Sequence, residues 1–304
     1  WSSDVCSSDL KVCKNKKIIL PKSKEIVLLS IYLLSFLCVS FFAVDKGMTV
    51  LAFFKNFVIL LFIILFLQYE TDDEKRQKYF ETISYSGVAS LLLSGILLLF
   101  GVSSIFYNNR LQGLFYYANS YALFLLVGVI TQLTNKKIDT KRIIISVILK
   151  VGILLTNSRA IIIITFLSFI IMLFMNKSNM KKLIILFIIT GILFGAVYYL
   201  SNIEKRINSE MFQSGEFITR LLYYKDAAEM IKINPWGYGY EGWFYKQTEM
   251  QTALYDTKYV HNSVLQVMLD VGIIPAISLF ALLIITFFDK RQTAFNRFIM
   301  IIVL

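Results

Sequence analysis

Three cysteines, three prolines and a single histidine in 304 residues leave few routes to a stapled or metal-built fold. Cys6, Cys13 and Cys38 are scattered, with neither metal-ligand spacing nor a disulfide framework. There is no low-complexity run and no period of roughly 20–50 residues, which excludes a solenoid or repeat array. Acidic residues are also scarce: 20 Asp and Glu stand against 31 Lys and Arg, for a formal charge of +11. The basic residues fall in short loops between apolar runs and not on one face, which fits membrane topology better than nucleic acid.

What is present is apolar surface. Hydrophobic residues make up 57% of the chain and mean hydropathy is +0.66, above the range of soluble domains. A hydrocarbon core about 30 Å thick needs roughly 17–25 apolar helical residues. Runs approaching or meeting that length lie at 26–44, 50–69, 82–102, 114–133, 143–156, 161–175, 183–200 and 264–288. They are continuous and not alternating, so they read as helices and not as barrel strands. The expected fold class is an all-α polytopic membrane protein with eight spans and a cut ninth from 298, the pair 143–156 and 161–175 being open to reading as one bent hairpin. Residues 1–10, "WSSDVCSSDL", differ in composition from the rest and read as non-native, adapter-derived sequence. The chain stops inside an apolar run, so a fragment truncated at both ends is expected. The expected organisation is 11–200 for helices 1–7, 201–263 for a long loop, and 264–304 for helix 8 and the start of helix 9.

Charge orients these spans. Lysine and arginine concentrate at 11–24, 75–78, 136–142, 177–182 and 290–297, whereas the alternate short loops carry only Lys46, Arg110 and Arg159. The positive-inside rule then places the N-terminus in the cytoplasm and the 201–263 loop outside it, on a multi-pass protein of the cytoplasmic membrane.

That loop is the one long polar stretch, and it holds His261, whose ordinary pKa suits a general base at neutral pH. The bland alternative is a polar residue marking the interface. Within it, Phe217, Leu221, Tyr224, Ala228 and Ile231 recur at 4-3-4-3 spacing, predicting an amphipathic helix along the outer membrane surface. Arg220 borders its apolar stripe, either solvated or as a bidentate phosphate ligand. Arg159 in "NSRA" and Arg110 in "YNNRLQG" stand in outside loops that the positive-inside rule leaves poor in basic residues, so with Arg220 they form a candidate anion site; snorkelling to headgroups is the plainer reading. Lys55 and Lys150 lie inside apolar spans without an evident carboxylate partner, which weakens a proton-relay reading. In "NPWGYGYEGWF", Gly237, Gly239 and Gly242 predict tight turns with positive φ. Trp236, Tyr240 and Trp243 are either interface anchors or stacking platforms for sugars.

Several of these segments, taken in order, resemble the O-antigen ligase and O-antigen polymerase family of bacterial membrane glycosyltransferases. The "NSRA" at 157–160 is similar to the family's serine-arginine element, and "ITRLLYYKDAAEMIKINPWGYGYEGWF" to its arginine, helix and glycine-turn pattern. "HNSVLQVMLDVGIIPAISLFALLI" resembles its histidine-led entry into the next helix, with Pro275 where a glycine is more usual. "RLQGLFYYANSYAL" is a looser match at Arg110, Gly113 and Asn119. The resemblance spans roughly residues 80–288. It implies a C-type glycosyltransferase-like bundle with an outward-facing site and a glycan on undecaprenyl diphosphate as donor. His261 would take the acceptor's proton, while Arg220 and Arg159, with Arg110 as a third, would hold the diphosphate leaving group. Preorganised arginines stabilise that developing charge without a metal or other cofactor.

Within the resemblance, a polysaccharide polymerase uses another lipid-linked glycan as acceptor, and a ligase uses a surface lipid or a protein. The Ile-, Lys- and Asn-rich composition favours the polymerase. Outside it, a flippase or transporter of lipid-linked oligosaccharide would be expected to show paired repeats and broken helices, and no repeat is evident. A structural membrane protein would leave His261, Arg220 and Arg159 as coincidences.

Overall fold

The computed structural model describes residues 23–69, 73–135, 138–175, 179–200 and 215–288. The adapter-like start, most of the basic lead, the 201–214 part of the long loop and the expected ninth helix lie outside the described residues.

The described chain is helical apart from one short ribbon. Its helices are α1 (Ser23–Ser40), α2 (Lys46–Tyr69), α3 (Asp73–Leu99), α4 (Ala118–Leu133), α5 (Thr140–Leu155), α6 (Arg159–Met175), α7 (Met180–Leu200), α8 (Gly215–Ile233), α9 (Gly242–Met250), α10 (Ser263–Val271) and α11 (Ile273–Phe288). Between α3 and α4 an antiparallel pair, β1 (Phe106–Tyr107) and β2 (Arg110–Leu111), closes through left-handed Asn108 and Asn109.

Helix thus stands at each of the eight expected spans before the cut ninth. Among the described residues, the segment Lys78–Leu99, 22 residues with mean hydropathy 1.8, is long and apolar enough to cross a membrane. Ile26–Ser40, Ala118–Leu133, Arg159–Leu173 and Ile273–Phe288 are shorter apolar helices. On α2, Phe54, Val58, Ile59, Phe62 and Leu65 are all more than half exposed. So continuous an apolar face is unusual in water and natural against lipid.

Contacts divide the chain into two units that do not follow its order. One contains α1, α2 and α8–α11; the other contains α3–α7 and the ribbon. In the second unit α4 is the central helix: Tyr121, Ala122, Leu125, Leu126, Val129 and Ile130 are buried on nearly all its sides. α5 and α6 are separate helices that meet at a turn where Asn157 takes a left-handed φ of 50°, a conformation asparagine tolerates.

In the first unit the expected single helix at 264–288 is broken. Gly272, at φ +90°, separates α10 from α11. Pro275 is the third residue of α11, where the missing N–H has no intrahelical partner to lose.

Candidate functional site

The first unit holds the 215–262 segment. α8 forms where an amphipathic helix is expected, but its buried face is turned by about one residue. Asp226, Ala227, Met230 and Ile231 are buried, with Tyr223 and Tyr224 partly so, whereas Leu221 is exposed. The cause is Asp226, which apolar periodicity cannot count as an inward residue. Its carboxylate accepts from the Thr252 amide (2.9 Å), the Thr252 hydroxyl (2.9 Å) and the Tyr255 phenol (2.7 Å), so it is buried with its lone pairs used. The Tyr255 phenol is held well above its usual pKa by burial, then by that carboxylate.

After α8 the backbone of 235–239 lies against the α10–α11 break. Tyr238 N–H donates to Leu269 O (2.6 Å), Gly239 N–H to Asp270 O (3.0 Å) and Ile273 N–H to Pro235 O (2.9 Å). On its other side Val44 N–H donates to Tyr238 O (2.9 Å) and Tyr240 N–H to Thr49 Oγ1 (3.1 Å). Gly237 and Gly239 take the expected positive φ, at 91° and 87°. Gly242 does not: it begins α9, and the left-handed residue is Glu241 (φ 62°), whose carboxylate meets Lys258 at 2.7 Å.

The three aromatic candidates separate. Trp236 is 64% exposed and Tyr240 is partly buried beneath Lys55, whose Nζ is 5.4 Å from the ring centroid. Trp243 is fully buried, stacked on Tyr255 with centroids 6.2 Å apart, and its indole N–H donates to Thr257 O (3.2 Å). This corrects the expected glycan contact: Trp243 is a core residue whose ring no sugar reaches.

His261 sits one residue before the Asn262 cap of α10, whose first amides are held by Asn262 Oδ1, accepting from Val264 (3.0 Å) and Leu265 (3.2 Å). It is itself left-handed, at φ 58°, a conformation that costs roughly 1–2 kcal/mol for a residue with a side chain. Its ring keeps an exposed edge, yet surrounding protein lowers its pKa, chiefly by burial and secondly through the charge of Arg220. Both effects favour the neutral imidazole. Its Nε2 lies 3.4 Å from Thr257 Oγ1, and that hydroxyl spends its proton on Tyr259 O (2.9 Å). With that proton spent, a hydrogen bond between the two requires Nε2 as the donor, which puts the lone pair on Nδ1. Arg220 is exposed on α8, one turn before Tyr224.

In the second unit, two of the sequence elements come together. Arg110 donates from Nε to Thr156 O (3.1 Å) and from Nη2 to Asn119 Oδ1 (2.5 Å), and Ser158 Oγ donates to the same Oδ1 (2.9 Å). Arg110 on β2, Asn119 on α4 and the turn before Arg159 thus form one cluster. Asn119 and Ser158 were present in the matched elements without an evident role; their hydrogen-bond geometry supplies one. Lys150, on α5, is 2% exposed, donates to Thr190 Oγ1 (3.2 Å) and lies 3.9 Å from the Phe169 ring centroid.

No curated protein and no solved structure matches the chain. A family model described as O-antigen ligase matches residues 144–281, a range that includes Arg159, Arg220 and His261 and leaves Arg110 upstream. Over those residues the chain is similar to the O-antigen ligase domain, which supports the membrane-associated O-antigen ligase and polymerase family.

Proposed function

We propose that the protein is a polysaccharide polymerase of the cytoplasmic membrane, multi-pass with its N-terminus inside and the 201–263 loop outside. It transfers a glycan from undecaprenyl diphosphate to the hydroxyl of an acceptor glycan. The lone-pair nitrogen of His261 takes the hydroxyl proton as the oxygen attacks the donor's anomeric carbon. The bond from that carbon to the diphosphate oxygen breaks, and the diphosphate leaves with the electron pair. Arg220 stabilises the departing charge, with Arg159 and Arg110 as further diphosphate contacts. Trp236 and Tyr240 offer aromatic faces to sugar rings.

The observation that supports this reading best is His261, exposed just before α10 within the residues matched by the O-antigen ligase model, in a setting where burial and then the charge of Arg220 favour the neutral ring. An uncharged base beside a fixed cation suits proton abstraction coupled to loss of an anion.

The test is His261→Ala in the full-length protein, supplied with purified lipid-linked oligosaccharide. Loss of glycosidic product is expected, and an unchanged rate would sink the reading. Product formed only on a lipid or protein acceptor would make the enzyme a ligase.

A further inference from the structure

His261 occupies a backbone conformation that side chains avoid, so something must hold it there. Two peptides close to it, the one that follows its ψ and the one that precedes Val260, are tied to different helices. Upstream, the amide of Val260, a fully buried residue, donates to Gln266 Oε1 (3.1 Å). Downstream, the carbonyl of His261 accepts from the Tyr224 hydroxyl (3.2 Å).

The Gln266 side chain can make its bond in one orientation only. Its Nε2 donates to Asp270 Oδ1 (2.9 Å), one turn further along α10, and Asp270 is 6% exposed. A carboxylate on one side and an amide N–H on the other leave no freedom to flip: the NH2 must face Asp270 and the oxygen must face Val260. Asp270 therefore sets the direction of Gln266, and Gln266 sets that of the Tyr259–Val260 peptide, one residue ahead of the peptide leading into His261. Tyr224 acts from α8, four residues beyond Arg220, so its bond fixes the histidine relative to the helix that carries the arginine.

The geometry points to Gln266 and Tyr224 as positioning residues of His261, with Asp270 orienting Gln266. This rests on the reading of His261 as general base. Both residues work through the backbone, so their removal degrades proton transfer and leaves donor binding intact. A misplacement near 1 Å is enough to lower a rate by about a hundredfold.

The experiment uses the full-length protein with purified lipid-linked oligosaccharide. Gln266→Met keeps the side-chain length and removes both hydrogen bonds; Tyr224→Phe removes one. Each is expected to lower kcat by about tenfold to a hundredfold with KM unchanged. The double replacement Gln266→Glu with Asp270→Asn exchanges amide and carboxylate: the new carboxylate at position 266 accepts from the Val260 amide and from the new amide at position 270. It is expected to recover most of kcat, whereas Gln266→Glu alone opposes two carboxylates and does not. A wild-type kcat in both Gln266→Met and Tyr224→Phe, a loss confined to KM, or a double variant no better than Gln266→Glu would each overturn the assignment. Should Gln266→Met fail to fold, Tyr224→Phe at the rim of the site carries the test. His261→Ala separates the two claims: if it is inactive while the positioning variants turn over normally, only the positioning falls, and if it is fully active the general-base reading falls.

Discussion

Gly237 and Gly272 approach so closely that a Cβ on Gly237 would lie 2.7 Å from the amide nitrogen of Gly272. One on Gly272 would lie 2.7 Å from the carbonyl oxygen of Trp236. Both residues have φ near +90°, so each is constrained by its own backbone as well as by its neighbour.

Gly237→Ala should therefore be strongly destabilising. Left-handed strain contributes about 1–2 kcal/mol and overpacking against backbone a further 1–3 kcal/mol, for a total on the order of 2–5 kcal/mol. Gly95 of α3 is the control, since a Cβ there meets nothing within 4 Å and alanine suits a helix. Denaturation of the detergent-solubilised full-length protein should show a large fall for Gly237→Ala and none for Gly95→Ala. Equal midpoints would remove the packed turn from the account.

Arg220 and His261 make a second prediction, because two causes lower the histidine pKa and only one can be deleted. Arg220→Gln leaves burial, the larger cause, and removes the charge. The pKa should rise towards its ordinary value without reaching it, so the acid limb of the kcat profile moves to higher pH. His261 is the only histidine in the chain, so its imidazole resonances need no assignment and can be titrated directly. A pKa unmoved in Arg220→Gln would show that the guanidinium is not its neighbour. The same shift has a stability consequence. With the folded pKa lowered, the unfolded chain binds more protons below about pH 6.5, so this group's contribution is complete above that value and declines as pH falls through it.

Much of this arrangement was legible in the chain. Long runs of Ile, Leu and Phe locate the helices because burial and backbone satisfaction in lipid depend on composition, and composition is local. Gly237 and Gly239 could be read as turn residues for the same reason. What escaped was set by partners distant in sequence. The buried side of α8 turns on Asp226, whose partners are 26 and 29 residues away. Trp243 looked like a surface aromatic until Tyr255 and the Thr257 carbonyl covered it. The break at Gly272 reflects the 235–239 backbone packed against it, and a lone glycine in an apolar run carries no sign of that. Asn119 and Ser158 became meaningful only when they met Arg110.

Lys150 is buried with a hydroxyl and an aromatic face for partners, beside a cavity of about 330 Å³ that Phe166, Phe187 and Phe194 also line. On the proposed multi-pass reading, an ammonium within a span would cost roughly 2.5–3.5 kcal/mol on insertion scales, and these two partners would offset only part of that. Lys150→Met keeps the stem and discards the charge. It should leave polymer formation intact and hold or raise the unfolding midpoint, as replacement of buried ionic groups by apolar ones often does. A clear loss of both would mean that the ammonium serves a ligand in that cavity.

Asn119 offers the sharpest test of Arg110. Its amide oxygen holds the guanidinium and accepts from Ser158 without cancelling the positive charge. Asn119→Asp preserves those contacts and adds a negative charge beside the Arg110 guanidinium. If Arg110 contacts the donor diphosphate, that carboxylate competes with it: donor KM should rise by about tenfold, the equivalent of 1.4 kcal/mol, while the fold keeps its stability. Asn119→Leu should instead lose stability, because it leaves Ser158 and the guanidinium without their shared acceptor. The contrast separates orientation from charge. A donor KM that stays at the wild-type value in Asn119→Asp would take Arg110 out of the diphosphate site and leave it as a brace between β2, α4 and the turn before α6.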